Sequence, residues 1–495
     1  MKVLLIALPQ YWGGRRSVAL SFPLGLGYVA KALSKSGHDV EVLDIVAHEY
    51  TDEEVVGKIK QLDHDAVGIS AFSTQYSYTK WLAAELKKCN GKKIVVGGAL
   101  ATHSPEIVLR NTEADICVIG EGEITFNEIL ANLDKLEAVK GICFKQGGEI
   151  IKNPPREYVQ DLDSIEFPAW KLFPTDIYLE SGGLPRYPNM RCIDAVSSRG
   201  CPFNCAFCSK TLAGVRFRSV DNIVAEIREF TGKYPQVNGI SFWDELFVLN
   251  KGRVYELCDA IEPLNMKWSC TSRVDLVDFE LLKRMKKAGC VVVTYGIESG
   301  SQSILDRMNK KVTVEQAQNA VRDTIKAGIL PSLDMMYGYP GETRETLKET
   351  INFFKGLPYL RIGTMFETNF NPTMALPGSR LYDQAVKGGL IENEEEYLEN
   401  LSPWIFYGSG KMLPGMNLTE FSEEEFHRLK RKTESEIFWG NIRRHPFRFA
   451  IDYLSYLFSL IVAGLTKVVP YLRRYGFKRT MQNFVRVRLF QLRGL

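Results

Sequence analysis

Three cysteines fall within eight residues, Cys201, Cys205 and Cys208 in "CPFNCAFC", spaced C-x3-C-x2-C. Three thiolates can each take one iron of a cubane cluster and leave the fourth iron without a protein ligand, free to be chelated by a small molecule. Zinc is the chief alternative. Structural zinc wants four ligands, often as two separated pairs. No second pair is in register here, and His38, His48, His64 and His103 lie in a different part of the chain. An electron-transfer ferredoxin would need a fourth cysteine, and three structural thiols gathered by chance is the remaining reading. The open-site cluster fits the spacing best. The other seven cysteines are scattered, several of them in apolar runs such as "DICVIG". That pattern suits buried free thiols in a reducing cytoplasm rather than disulfides.

The elements that must hold these thiolates can be read on either side of them. Over residues 1–150 short apolar runs ("KVLLIAL", "DVEVLD", "AVGISAF", "KIVVGG", "DICVIG") alternate with amphipathic helical stretches. This predicts an α/β fold that opens with a doubly wound parallel sheet covered on both faces, followed by a hairpin over "GICFKQGGEIIKN". In such sheets ligands bind beyond the carboxyl ends of the strands. Those ends carry small or glycine-rich turns: Ser70 with Ser73 and Thr74, Gly97–Gly98, and Gly120–Glu121–Gly122. "MKVLLIALPQYWGG" has no small-residue cleavage site and reads as a first buried strand rather than a signal peptide.

A proline-bearing linker over 151–190 leads to a second alternating run over 191–391. Its six strands are expected at Asp194–Arg199, "GISFWDE", "KWSCTSRV", "VVVTYGIES", "SLDMMYGYPG" and "RIGTMFETNF". Six βα units suit a partial parallel barrel whose active residues cluster at the carboxyl ends of its strands. Asp244, Glu245, Arg273, Glu298 and Gly338 to Gly341 stand at those ends.

With these blocks in place the chain resembles the radical S-adenosylmethionine (SAM) enzymes. More narrowly it resembles the branch with an N-terminal cobalamin-binding domain, which includes radical methylases of unactivated carbon and the anaerobic magnesium-protoporphyrin ester cyclase. The likeness rests on the C-x3-C-x2-C motif after the first barrel strand. It extends to "GISFWDELFVLN", "RVDLVDFELLKRMKKAGCVVVTYGIESGSQSIL", "YGYPGETRETLKETINF" and "PGSRLYDQA". It implies a [4Fe–4S] cluster on Cys201, Cys205 and Cys208, with SAM on the open iron. It further implies reductive cleavage of SAM to a 5′-deoxyadenosyl radical that abstracts hydrogen from an unactivated C–H bond. Phe207 would pack beside the cluster. Trp243, Asp244 and Glu245 would stand near the SAM amino group, Arg273 near its carboxylate and Glu298 near its ribose, while Gly338, Pro340 and Gly341 would let backbone approach the adenine. For cobalamin the implied contacts are Leu24, Gly25, Gly27, Ser70, Thr74, Gly97, Gly98 and Glu121. The corrinoid fingerprint D-x-H-x-x-G is absent, so a corrinoid fold that no longer binds anything stays open as an alternative. A flavodoxin or ferredoxin is the implied electron donor.

The reaction is expected to be cobalamin-dependent C-methylation. Radical ring formation is the runner-up, and a non-catalytic iron–sulfur module is the alternative from another class. Region 392–495 reads as a mainly helical C-terminal tail. From Ile437 onward it holds eleven basic residues and one acidic one, Asp452, against a net charge of +3 for the whole chain. "YLSYLFSLIVAGLT" is shorter than the ~20 apolar residues of a membrane span. The mixture of Arg and Lys with Phe, Tyr and Leu over 447–495 suits instead a segment lying on a membrane surface. A core helix with a solvated basic face is the alternative. The expected substrate is therefore hydrophobic, a lipid or a tetrapyrrole-like molecule, and the expected location is the cytoplasm or the cytoplasmic face of the membrane. Nucleic acid is not an expected partner, because no RNA-binding module accompanies the basic residues.

Overall fold

The structure is a computed structural model that describes residues 1–9, 11–12, 15–16, 21–90, 92–181, 190–361, 369–401 and 417–455. Most of the basic tail, 456–495, lies outside the described residues. So does 362–368, most of the sixth expected barrel strand.

The first sheet has seven strands: β1 (Lys2–Ala7), β2 (Asp39–Asp44), β3 (Ala66–Ser70), β4 (Lys93–Gly97), β5 (Ile116–Val118), β6 (Ile142–Gln146) and β7 (Glu149–Lys152). Their order is β2-β1-β3-β4-β5-β6-β7. The pairs from β2 through β5 are parallel, and β5–β6 and β6–β7 are antiparallel. The expected hairpin thus extends the sheet rather than standing apart from it. Val3 to Ala7, Ala66 to Ile69 and Ile94 to Val96 are buried on both strand faces, which is why they read as unbroken apolar runs. The chain leaves β1 and β3 in opposite directions, so a crevice opens between their carboxyl ends. Helices α1 (Leu24–Lys35), α2 (Gly98–His103) and α3 (Gly122–Ala131) follow β1, β4 and β5.

The connector is packed between the two sheets. Tyr178 donates to Asp44 Oδ2 at 2.6 Å. The Trp170 ring meets Phe230 of the next domain edge-on, 4.9 Å between centroids.

The second sheet runs β8 (Cys192–Ala195), β9 (Gly239–Phe242), β10 (Lys267–Ser272), β11 (Cys290–Glu298), β12 (Leu330–Tyr337) and β13 (Asn369–Pro372) in sequence order, every pair parallel. This is a six-stranded partial barrel. Ser219, Asn250, Asp278, Thr313, Thr343 and Ser379 each cap the N-terminus of a helix between or after its strands. One strand differs from the sequence reading. Asp194–Arg199 is not continuous: β8 stops at Ala195, and Ser198–Arg199 pairs with Arg216–Phe217 as a separate antiparallel ribbon. The cause is Asp244, which takes the Ser197 N–H (3.0 Å) and the hydroxyls of Ser197 and Ser198, drawing the chain out of the ladder.

In the described C-terminal part, α4 (Arg344–Lys355) is covered by the long α6 (Glu423–Arg444). The short α5 (Glu394–Asn400) returns to the first domain, where Lys80 Nζ reaches Glu395 (2.9 Å) and Glu399 (2.6 Å). No helix among the described residues is long and apolar enough to cross a membrane.

Candidate active site

The three cysteines occupy the loop between the two strands of the Ser198–Arg199/Arg216–Phe217 ribbon. At its neck Gly200 has φ +89°, and a Cβ there would sit 2.2 Å from the Gly214 carbonyl oxygen, so only glycine lets the two sides meet. The Gly200 N–H donates to Glu245 Oε2 at 3.0 Å. The far side of the loop is tied to the segments after β11 and β13. Ala206 N–H donates to the Met308 carbonyl (2.8 Å), Asn309 Nδ2 to the Asn204 carbonyl (2.7 Å) and Ser209 Oγ to the Pro377 carbonyl (2.5 Å). A loop without secondary structure of its own is therefore fixed from three directions.

Cys201 and Cys205 are half-buried and Cys208 is exposed. The Cys208 thiol is pushed up to about 11 by desolvation first and then by the charges of Cys205 and Cys201. The sulfurs therefore share one neighbourhood. Among the described residues no three Cys, His, Asp or Glu side chains converge on a single metal position. A cubane asks only that each thiolate meet its own iron, and that donor set is present. Three cations offset its charge, Lys210 of the loop itself, Arg273 and Lys310. Arg273 Nη1 is 4.0 Å from Cys205 Sγ, with its guanidinium 3.7 Å from the Phe203 ring centroid. Lys310 Nζ lies 5.5 Å from the Phe207 ring centroid and acts on the Cys208 thiol.

The residues expected around SAM are gathered at the same strand ends, several already committed to partners. Arg273 is held by Asp275 (3.0 Å) and donates to the Lys310 carbonyl (2.8 Å). Glu298 stands at φ +67° beside a register shift in β11, and its carboxylate pairs with buried Lys310 at 2.7 Å. A non-glycine residue held in that region is a local strain that surrounding structure must over-determine. Trp243 is 54% exposed and donates its indole N–H to Asp194 at 2.8 Å. Asp194, which also accepts from the Phe22 N–H at 2.7 Å, is pushed up to about 6 by burial. Asp244 is buried and its oxygens serve Ser197 and Ser198. Gly338 lies against the Phe426 ring of α6, where a Cβ would be 2.4 Å from Cε2, and Gly341 lies against Arg307. Pro340 is half-buried between them.

Lys310, Asp275, Asp194 and Asp334 were not singled out by the sequence. Lys310 sits in an ordinary polar turn, "MNKKVT", that gives no signal. Asp334, opposite Gly296 in the β11–β12 register, is pushed up to about 6 by burial first and then by Glu298.

In the first sheet Ser70, Gly97 and Gly98 come together at the ends of β3 and β4. Gly98 has φ +85°, and a Cβ on it would stand 2.6 Å from the Ala71 carbonyl oxygen and 3.2 Å from Ser70 Oγ. Gly25 has nothing within 4 Å of its Cβ position, whereas Gly27 packs on Phe22 and Pro168. Leu24 is half-buried at the start of α1. Thr74 lies in the turn Ser73–Gln75, which Gln75 ties to the end of β1 by donating to the Pro9 carbonyl (3.2 Å). A floor of small residues at the ends of β3 and β4, beside the crevice between β1 and β3, fits a flat macrocycle such as a corrinoid. Glu121, expected there, is engaged elsewhere: its carboxylate accepts from Arg199, Arg216 and the Val159 N–H.

Residues 196–354 match the Radical SAM superfamily and residues 16–130 match the B12 binding domain. An uncharacterized methyltransferase of Pyrococcus horikoshii is 34% identical over 444 residues, covering 87% of this chain and 91% of that protein. The anaerobic magnesium-protoporphyrin IX monomethyl ester cyclase of Cereibacter sphaeroides is 31% identical over 369 residues, 69% of this chain and 58% of the cyclase. The fold is shared with the radical SAM methyltransferase TsrM of Kitasatospora setae, solved with cobalamin and a [4Fe–4S] cluster. The TM-score is 0.65 at 15% identity, over 88% of each chain.

Proposed function

The chain belongs to the family of radical SAM enzymes built on a B12-binding domain, and on that premise we propose that it is a cobalamin-dependent C-methyltransferase acting on a hydrophobic substrate. The observation that carries the reading is the pairing, in one chain, of a three-cysteine loop at a barrel mouth with a small-residue crevice beside the switch point of a doubly wound sheet. The family's cofactors are a [4Fe–4S] cluster, SAM and cobalamin. Together they supply one-electron cleavage of a carbon–sulfur bond, hydrogen abstraction from unactivated carbon and a transferable methyl group.

The protein's part is to hold and exclude. Cys201, Cys205 and Cys208 hold the cluster. The Glu298–Lys310 pair, Trp243 and the Gly338–Gly341 turn shape the SAM site around it, with Arg273 countering the cluster's negative charge. Gly25, Ser70, Gly97 and Gly98 leave room for the corrinoid. The reductant such an enzyme requires would be a flavodoxin or ferredoxin.

The hydrophobic character of the substrate is supported by the described end of the tail. Trp439, Phe447, Ile451 and Leu454 are exposed beside exposed Arg443 and Arg448, while the lone carboxylate, Asp452, is buried against the Tyr359 hydroxyl (3.1 Å). What that segment shows to solvent is thus apolar and cationic, as suits the surface of an anionic bilayer.

The test is stoichiometric. Protein reconstituted without air with iron, sulfide and hydroxocobalamin is given SAM, a reductant and a total lipid and pigment extract. A methylase yields 5′-deoxyadenosine and S-adenosylhomocysteine in equal amounts. 5′-Deoxyadenosine alone would move the assignment to ring formation, as the cyclase relative's name suggests. No cleavage of SAM would leave a non-catalytic iron–sulfur module. For the membrane surface, sedimentation with phosphatidylglycerol vesicles is expected to carry the full chain down, and Phe447→Asp/Ile451→Asp to leave roughly tenfold more in solution. Equal binding of the variant removes this support for a lipid substrate.

A further inference from the structure

The turn after β5, "GEGE", carries two carboxylates whose partners are not in their own domain. Arg199 reaches both: Nη1 to Glu121 Oε1 and Nη2 to Glu123 Oε1, each at 2.7 Å. Arg216 Nη1 reaches Glu121 Oε1 at 2.9 Å and donates to the Val159 carbonyl at 2.6 Å. Arg199 and Arg216 are register partners on the two strands of the ribbon that closes the cysteine loop. The four side chains are between 6% and 14% exposed. Burial works against the Arg199 charge, yet Glu123 and Glu121 outweigh it and its pKa rises. Each guanidinium also faces an aromatic ring, Arg199 over Tyr28 of α1 (5.2 Å) and Arg216 over Tyr158 of the connector (4.9 Å). On the loop's other flank, the His103 ring at the end of α2 lies against Gly378, next to the Pro377 that holds Ser209. The first domain therefore meets the loop's supports on both sides.

We propose that Glu121 and Glu123 are positioning residues for the cluster loop: the corrinoid-binding domain clamps the neck of the loop through Arg199 and Arg216, so that docking of one domain sets the geometry of the other's metal site. The inference rests on reading the cysteine loop as the cluster site. Arg199 spans two carboxylates with its two terminal nitrogens, and Arg216 Nη1 meets both oxygens of Glu121, so the charge-assisted contacts fix orientation as well as distance. Removing one partner from a buried pair leaves the other charge without compensation, which is why the ribbon should loosen when the carboxylates go. Asp244 and Glu245 brace the same neck from inside the barrel. The clamp is thus the outer half of a support whose inner half belongs to the loop's own domain.

The test uses the full chain without cofactors. In Glu121→Gln/Glu123→Gln, amide hydrogen exchange in peptides covering 199–217 is expected to quicken roughly tenfold, with β1 to β4 unchanged. Returning the carboxylates one methylene shorter, in Glu121→Asp/Glu123→Asp, is expected to rescue much of the protection, which a purely volumetric role would not, since Gln keeps the volume and loses the charge. In protein reconstituted with iron and sulfide, release of iron to a chelator should quicken in the same variants and recover with the same rescue. Unchanged exchange over 199–217, or an increase spread evenly over both domains, overturns the clamp. If wild-type protein takes up no iron while the exchange pattern holds, the cluster reading fails and the clamp survives as an interdomain lock alone.

Discussion

The two parallel sheets are built from the same βα units and make opposite use of their faces. In the first, β1, β3 and β4 are buried on both faces over Val3 to Ala7, Ala66 to Ile69 and Ile94 to Val96, so a ligand can be met only outside the strand ends. In the second, one face is apolar and packed on helices (Ile193, Ala195, Ile240, Phe242). The other carries Asp194, Ser241 and Ser269 in register, then Thr271 beside Thr294 and Gly296 beside Asp334. A small apolar cluster of Met190, Val291, Val292 and Leu330 closes its strand-start end. Curvature makes the difference: an open sheet covered twice has no interior to offer, whereas a bent sheet covered once keeps a polar hollow in which a cofactor can lie.

Separate supports for separate ligands can be broken experimentally. Cys205→Ala is expected to have the largest effect, abolishing the iron–sulfur absorbance and reducing SAM cleavage to background while cobalamin still binds the first sheet. Loss of both would mean that the first sheet depends on the cluster loop, and not only the loop on the first sheet. Next, Lys310→Met leaves Glu298 buried without its cation and should cost about 3–5 kcal/mol in urea unfolding, confined to the barrel. Gly98→Val forces a branched residue into left-handed backbone against the Ala71 carbonyl. It should destabilise the first domain by roughly 2–4 kcal/mol and weaken cobalamin binding without touching the cluster.

The smallest effect belongs to Asp334. Its folded-state pKa, about 6, lies above the ordinary aspartate value of 3.8, so the folded chain holds the proton more tightly than the unfolded one. Stability from this group is therefore full below pH 4 and falls as pH rises from about 4 to 6. Asp334→Asn should exceed wild type by about 2 kcal/mol at pH 7, with the gap closing toward pH 4. A gap independent of pH would mean that the hollow is wetter than its burial implies.

The order of elements was legible because periodicity and punctuation are local. Apolar runs, Ser/Thr/Asn/Asp caps and glycine turns gave thirteen strands in two sheets, with two boundary differences. One is Asp194–Arg199, broken by an aspartate about fifty residues away. The other is the hairpin, which joins the first sheet because β5 offers it an open edge. The site was legible in part. Cys201, Cys205 and Cys208 could be singled out because their spacing is itself a sequence property, and the structure sets them on one loop. Glu121 and Gly27 were expected at the crevice from the turns "GEGE" and "PLGLGY", and the fold turned one toward Arg199 and the other onto Pro168.

The sequence by itself determined the metal chemistry and the two α/β units, since both depend on residues near one another in the chain. Only the tertiary structure decided what faces the cysteine loop and what holds it in place. Lys310 pairs with Glu298, Arg273 comes to stand by Cys205, and two carboxylates of the first domain meet two arginines of the second. Charges far apart in sequence find each other only when burial removes water as a competing partner, and burial is a property of the folded whole.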